Sequence, residues 1–362
     1  MQNKRFSRAL RALLCLFLCA LLLTFAACPQ STGPTVMTFE GLSLSEGIYR
    51  FWTSCYRAQF AHIETAENRD RLATLTDTNI RKSLIAAARF DALDLRLDQT
   101  ARNQIDGAMR TLLELYGSRE ELDAALAVYG ITYDELRLAI SYEQKALALS
   151  NYLFGTGGVY EPTEEEREEY YEELYCRVQI ITILHVDFVL DANGERVFDR
   201  TSGKYLFEEK TPEQMAVQNE KEAELAAQLY DGIGEIAFQQ LLATYNNDNA
   251  AKNYPSGYYF AEGGDYREYI EEIPKAALSM DEGTVVRVES EYGVHFLLRV
   301  PLDEGAYDAE ENADFFPDFY ERMQAYYFEL YVTQYLPSVS VDHALLSVIR
   351  YEDCEPNFDV YW

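Results

Sequence analysis

The sequence predicts an α+β protein in which long helical segments at both ends of the chain enclose a stretch where strands and helices alternate. Two observations carry this. Residues 44–153 place apolar side chains at spacings of three and four along five successive segments. Residues 177–300 begin with a β-branched run, pass through two helical patterns and an aromatic run, and close on a hairpin. Removal of a leader described next leaves about 335 of the 362 residues. That length exceeds one ordinary core, so two domains are expected.

The first element is an address. Lys4, Arg5, Arg8 and Arg11 form a positive segment, and residues 12–25 are apolar but short for a membrane span. Residues 1–27 read as a signal peptide. Phe25-Ala26-Ala27-Cys28 resembles a bacterial lipobox, in which small residues admit the signal peptidase and the cysteine thiol takes a diacylglycerol. Cys28 would then be the lipidated N-terminus, and several acyl chains together anchor a protein stably. The competing reading is an uncleaved anchor that ends on a chance cysteine. The expected location is extracytoplasmic, tethered to the outer face of the cytoplasmic membrane, with residues 28–38 as the tether.

Without its leader the chain carries 27 Lys and Arg against 61 Asp and Glu, a formal charge of about -34. Such a surface repels phosphate backbones, which excludes nucleic acid as the expected partner. Cys55, Cys176 and Cys354 are an odd set without CxxC spacing, so small buried thiols are favoured over a disulfide framework or a zinc site. His62, His185, His295 and His343 lack ligand spacing, so neither metal nor cofactor is expected. The 28 tyrosines suit either surfaces that grip varied partners or partly buried helix faces.

Helices are expected over residues 44–63, 77–97, 98–116, 118–129 and 132–153, punctuated by Gly117, Gly130 and Gly155. Ser118 with Glu121 and Thr132 with Glu135 mark two starts, a hydroxyl capping the first turn and a glutamate answering three residues on. Thr163 with Glu166 marks another over residues 161–176, where early acidic residues complement the helix dipole. Residues 177–190, RVQIITILHVDFVL, are the first strand. After the Asp191-Ala192-Asn193-Gly194 turn comes a polar excursion to residue 212. Helical patterns follow over 212–229 and 236–245, then a turn-rich run that ends in aromatic residues near 260, and a short helix within 266–280. The closing hairpin is residues 281–300, DEGTVVRVESEYGVHFLLRV, and the tail from 308 to 335 is again helical.

The hairpin with its Gly-Val-His-Phe-Leu-Leu strand resembles the last hairpin of the parvulin family of peptidyl-prolyl isomerases. The capped pair YGSREELDAALAVYGITYDELRLAI resembles the N-terminal helical module of extracytoplasmic foldases of the SurA and PrsA type. The resemblance implies a parvulin-like domain over residues 177–302, a four-stranded antiparallel sheet wrapped by helices. It also implies a chaperone module made from residues 39–160 and 303–362, with 161–176 as the connecting helix. Within the site it implies His295 as the family's second histidine, Ser290 as its hydroxyl residue, and Asp248 as its Asp or Cys. The first histidine falls on His185, or else Ile180 takes that position; the two point to opposite sides of a regular strand. The proline pocket falls on Tyr269 and Ile273, where the family has Met and Phe. Asp248 lacks the family's flanking serines, which predicts a thinner hydrogen-bond net.

Isomerising an X-Pro bond crosses a barrier of about 18–20 kcal/mol without any proton transfer. A catalyst holds the proline in an apolar cup, strips water from the amide and favours the twisted bond. The first expected function is therefore a lipid-anchored foldase with parvulin-type activity toward unfolded or newly secreted polypeptides. The second is a non-catalytic holdase on the same fold, and the third a surface lipoprotein with a structural role. A shared fold does not choose among them.

Overall fold

A computed structural model describes residues 33–248, 253–264, 266, 270–358 and 360. The signal peptide, Cys28 and Tyr269 lie outside the described residues. The chain divides into two compact units, one running to Glu161 and resuming at Gln324, the other spanning Pro162–Met323.

The first unit opens with β1 (Thr35–Phe39) and β2 (Leu42–Ser45), an antiparallel hairpin. Residues 35–38 are thus part of the fold and not of the tether. In TVMTF the side chains of Val36, Met37 and Phe39 are buried, which no solvated linker would allow. Five helices follow: α1 (Glu46–Phe60), α2 (Arg69–Ala92), α3 (Gln99–Tyr116), α4 (Arg119–Val128) and α5 (Tyr133–Phe154). The second starts two turns earlier than its sequence pattern suggests, because Leu72 and Thr76 are buried there in a stretch that opens on Arg69, Asp70 and Arg71. Thr132 and Glu135 close the expected capping box, and Ser45 Oγ donates to the same glutamate at 2.9 Å. Ile48, Ile80, Leu84, Leu136 and Leu149 form the centre of the core.

The second unit begins with α6 (Glu164–Leu174), capped by Thr163 and Glu166, which runs directly into β3 (Tyr175–Leu184). At His185 the chain leaves the sheet, and its N–H donates to Tyr292 O at 2.9 Å. The polar excursion is a nested β-arm. Its strands β4 (Val186–Phe188) and β7 (Phe207–Glu209) pair around β5 (Phe198–Asp199) and β6 (Lys204–Tyr205). Two helices follow, α7 (Pro212–Ala226) and α8 (Glu235–Tyr245), then β8 (Tyr258–Ala261), α9 (Glu272–Ser279), β9 (Val285–Ser290) and β10 (Gly293–Val300).

The expected four-stranded antiparallel sheet is present in the order β8-β3-β10-β9. Its two faces explain why β3 is buried along nearly its whole length. Val178 and Ile180 join Ile273 of α9 on one face, while Ile181 and Ile183 join Leu225 and Phe238 of α7 and α8 on the other. Each such side chain contributes about 1.5–3 kcal/mol by leaving water.

The second unit extends past both ends of the 177–302 range read from the sequence. Tyr170, Tyr171 and Tyr175 interlock with Tyr307, Phe316 and Phe319 at ring separations of 5.2–6.5 Å. Those tyrosines are buried core rather than a gripping surface. Helix α10 (Phe319–Thr333) leads back into the first unit. There Tyr327 and Tyr331 lie against Phe154, and β11 (Ser340–Val341) pairs with β1. Cys55, Cys176 and Cys354 are free thiols, and burial pushes the Cys176 thiol up to about 11.

Candidate active site

The β9–β10 hairpin positions the histidine. At Gly293, with φ of +152°, an added Cβ would stand 2.2 Å from Ile183 O, so only glycine lets β10 approach β3 so closely. The tight turn curls Ser290 back over the strand. Its Oγ accepts from Tyr292 N at 3.2 Å and lies 2.8 Å from His295 Nε2. This is where the resemblance places the hydroxyl.

The other ring nitrogen meets Thr182. The register sets Thr182 directly opposite His295, and its Oγ1 lies 2.9 Å from Nδ1. The imidazole is thus held between two hydroxyls at 1% exposure. A neutral ring has one donor and one acceptor nitrogen, so one hydroxyl donates and the other accepts. Burial pushes the His295 pKa down to about 4; the nearby Asp248 charge opposes this without prevailing, and His185 adds slightly to the lowering. Strand parity puts the ring on the face of Ile180, Leu297 and Val288, the face that α9 covers with Ile273.

Asp248 arrives from the end of α8. Strand β8 pairs with only the first half of β3, and Asn246 and Asn247 cover the open edge beyond it. Asn246 Oδ1 accepts from Thr182 N at 2.8 Å, Asn247 Oδ1 from Leu184 N at 2.7 Å, and Asn247 N donates to Thr182 O at 3.1 Å. The two amides therefore tie this segment to the backbone of β3, while Asn249 and Ala250, which stand at the family's flanking-serine positions, lie outside the described residues. Asp248 then forms an ion pair with Arg196 of the β-arm.

Ser290 is brought onto the His295 ring; Asp248 and His185 each act on that ring through their charge, without a hydrogen bond to it. His185 stands beyond the end of β3, its Nε2 3.7 Å from the Glu222 carboxylate and outside hydrogen-bond reach. Ile180 lies on the correct face but belongs to the apolar cluster with Ile273. The side chain that faces His295 is Thr182, which the sequence reading missed. Its signal is a lone hydroxyl in an apolar strand, since a buried polar group requires a partner. Ile273 is 7% exposed and lines the greasy side, and Tyr269 lies outside the described residues.

No model of a known protein family and no curated protein matches the chain. Among solved structures the chain is similar to PrsA foldases. The crystal structure of PrsA from Bacillus subtilis is 17% identical, with 74% of this chain and 85% of that one covered and a TM-score of 0.23. The peptidylprolyl isomerase (PrsA) of Bacillus anthracis is 14% identical over 72% and 93%, with a TM-score of 0.25. The foldase protein (PrsA) of Lactococcus lactis is 12% identical over 89% and 100%, with a TM-score of 0.23. At such scores the site rests on its own geometry.

Proposed function

We propose that the protein is a parvulin-type peptidyl-prolyl cis-trans isomerase that assists secreted polypeptides outside the cytoplasm, anchored through lipid on Cys28. The observation that carries this is the neutral imidazole of His295, clamped by Thr182 and Ser290 on the apolar face of the sheet. A buried ring held neutral is poorly suited to exchange protons with water. It is well suited to a reaction that moves none, in which rigid apolar walls and fixed dipoles favour the twisted amide. Ile180 and Ile273 would supply the apolar cup beside it.

The test is isomerisation of a proline peptide panel by the full mature chain, followed by protease-coupled absorbance or NMR exchange. Wild type accelerates exchange, and His295→Ala lowers kcat/KM on the order of tenfold or more while client holding is unchanged. No wild-type rate above background would sink the enzyme reading. Labelled palmitate incorporated by wild type but not by Cys28→Ala checks the anchor.

The holdase reading has its own support. In the first unit Leu115, Tyr116, Ala125, Val128, Tyr129 and Phe358 line an apolar groove of about 490 Å³, with Leu115, Val128 and Phe358 largely exposed. Leu115→Asp with Val128→Asp would then weaken suppression of client aggregation and leave proline isomerisation intact.

A further inference from the structure

The β-arm of residues 186–209 does more than fill a connection. It is tied to both flanks of the candidate site. On the Ser290 side, Tyr205 N donates to Tyr292 Oη at 3.1 Å, Lys204 pairs with Glu291 at 2.9 Å, and Phe188 and Phe207 lie 5.3 and 5.6 Å from the Tyr292 ring. On the other flank Arg196 pairs with Asp248. The guanidinium also lies 4.0 Å above the Phe188 ring, so one side chain joins the arm's aromatic cluster to the Asp248 carboxylate.

We infer that Arg196 is a positioning residue of the site: it fixes the Asp248 carboxylate, whose charge acts on His295, and holds the arm across the site as one of its walls. This rests on the isomerase reading above. Three observations support it. The pair is partly shielded, with Arg196 and Asp248 side chains 26% and 16% exposed, so it is screened less than a surface pair. The stacked guanidinium is preorganised in a way an ammonium would not be. Arg196 also sits beside a bridge of the arm itself, Leu190 with Arg196, so its backbone is fixed before its side chain reaches out.

The test uses the full mature chain with Arg196→Gln, Arg196→Lys, Asp248→Asn and the double variant Arg196→Gln with Asp248→Asn. Three quantities are read: hydrogen exchange at the arm amides of Val197 and Leu206, which donate to Val189 O and Val197 O; the His295 ring resonances; and kcat/KM on a proline peptide. Arg196→Gln is expected to speed exchange at both amides about tenfold, shift the His295 resonances and lower kcat/KM about tenfold. Arg196→Lys recovers part of each, and the double variant is no worse than either single one, as coupled residues require. Unchanged exchange and unchanged His295 resonances in Arg196→Gln would overturn the inference, as would single-variant effects that multiply in the double. If wild type isomerises nothing while the exchange and ring signals still couple, the isomerase reading fails and the positioning role stands.

Discussion

Burial of the imidazole at 1% exposure disfavours its charged form, which gives His295 a pH signature. Its folded-state pKa, about 4, lies below its ordinary value of 6.5. Between those values the unfolded chain binds more protons than the folded one, so stability falls as pH falls. The contribution is complete above pH 6.5 and lost by about pH 4, a change of about 3 kcal/mol at one pKa unit per 1.36 kcal/mol. Urea midpoints of wild type should therefore decline more steeply over this window than those of His295→Gln; parallel decline in the two proteins would refute it. The partner hydroxyl has a separate test. Thr182→Val keeps the shape of the side chain and strands one ring nitrogen, so it should cost about 1–3 kcal/mol in urea unfolding. Thr182→Ser should retain most of that stability, because what the ring requires is the hydroxyl and not the methyl.

At the scale of the element, the hairpin depends on Gly293. A Gly293→Ala chain must relieve a 2.2 Å contact with the Ile183 carbonyl, and backbone on both sides leaves little room to yield. A loss of about 2–4 kcal/mol in the unfolding of the sheet unit is expected, measured by urea unfolding with circular dichroism; a stability equal to wild type would mean the strands can separate freely. Much of this element was legible in the chain, since Tyr292-Gly293 marks the turn and the capping pairs at Thr132 and Thr163 mark helix starts through local hydrogen bonds. The end of β3 was not legible. RVQIITILHVDFVL stays rich in β-branched and apolar residues through residue 190, and the break at His185 comes from a distant acceptor, Tyr292 O, and from the arm that turns away there. His185 looks like a site residue in the sequence because it is the histidine of that run and stands at a fitting distance from the turn at 191–194; the break puts it past the end of the strand, 3.7 Å from Glu222. Thr182, Asn246 and Asn247 escaped for a related reason: their roles are set by strand register and by an open sheet edge, neither of which any local pattern encodes.

For the molecule as a whole, the two units draw differently on the chain, and that difference predicts how they fail. The sheet unit is one continuous segment, whereas the helical unit needs residues from both ends: β11 pairs with β1 at Met37–Val341 and Thr38–Ser340, and Asp342 N donates to Val36 O at 2.9 Å. The C-terminal stretch also supplies core, since Val339, Ile349, Cys354 and Val360 are buried in the same cluster as Ile48 and Leu84. Ending the chain after residue 335 would uncover β1 along one edge and remove those side chains. Large-to-small losses at single core positions cost about 2–5 kcal/mol each, while a domain's whole stability is about 5–15 kcal/mol. The truncated helical unit is therefore expected not to fold. The sheet unit keeps its segment and its aromatic cluster around Tyr171 and Phe316, so it should unfold at its wild-type midpoint. Calorimetry of the wild-type and truncated chains checks this: one transition should vanish and one persist. Joint loss of both would show that the sheet unit depends on its neighbour, and survival of both would show that β11 and the buried C-terminal residues contribute little to the helical core.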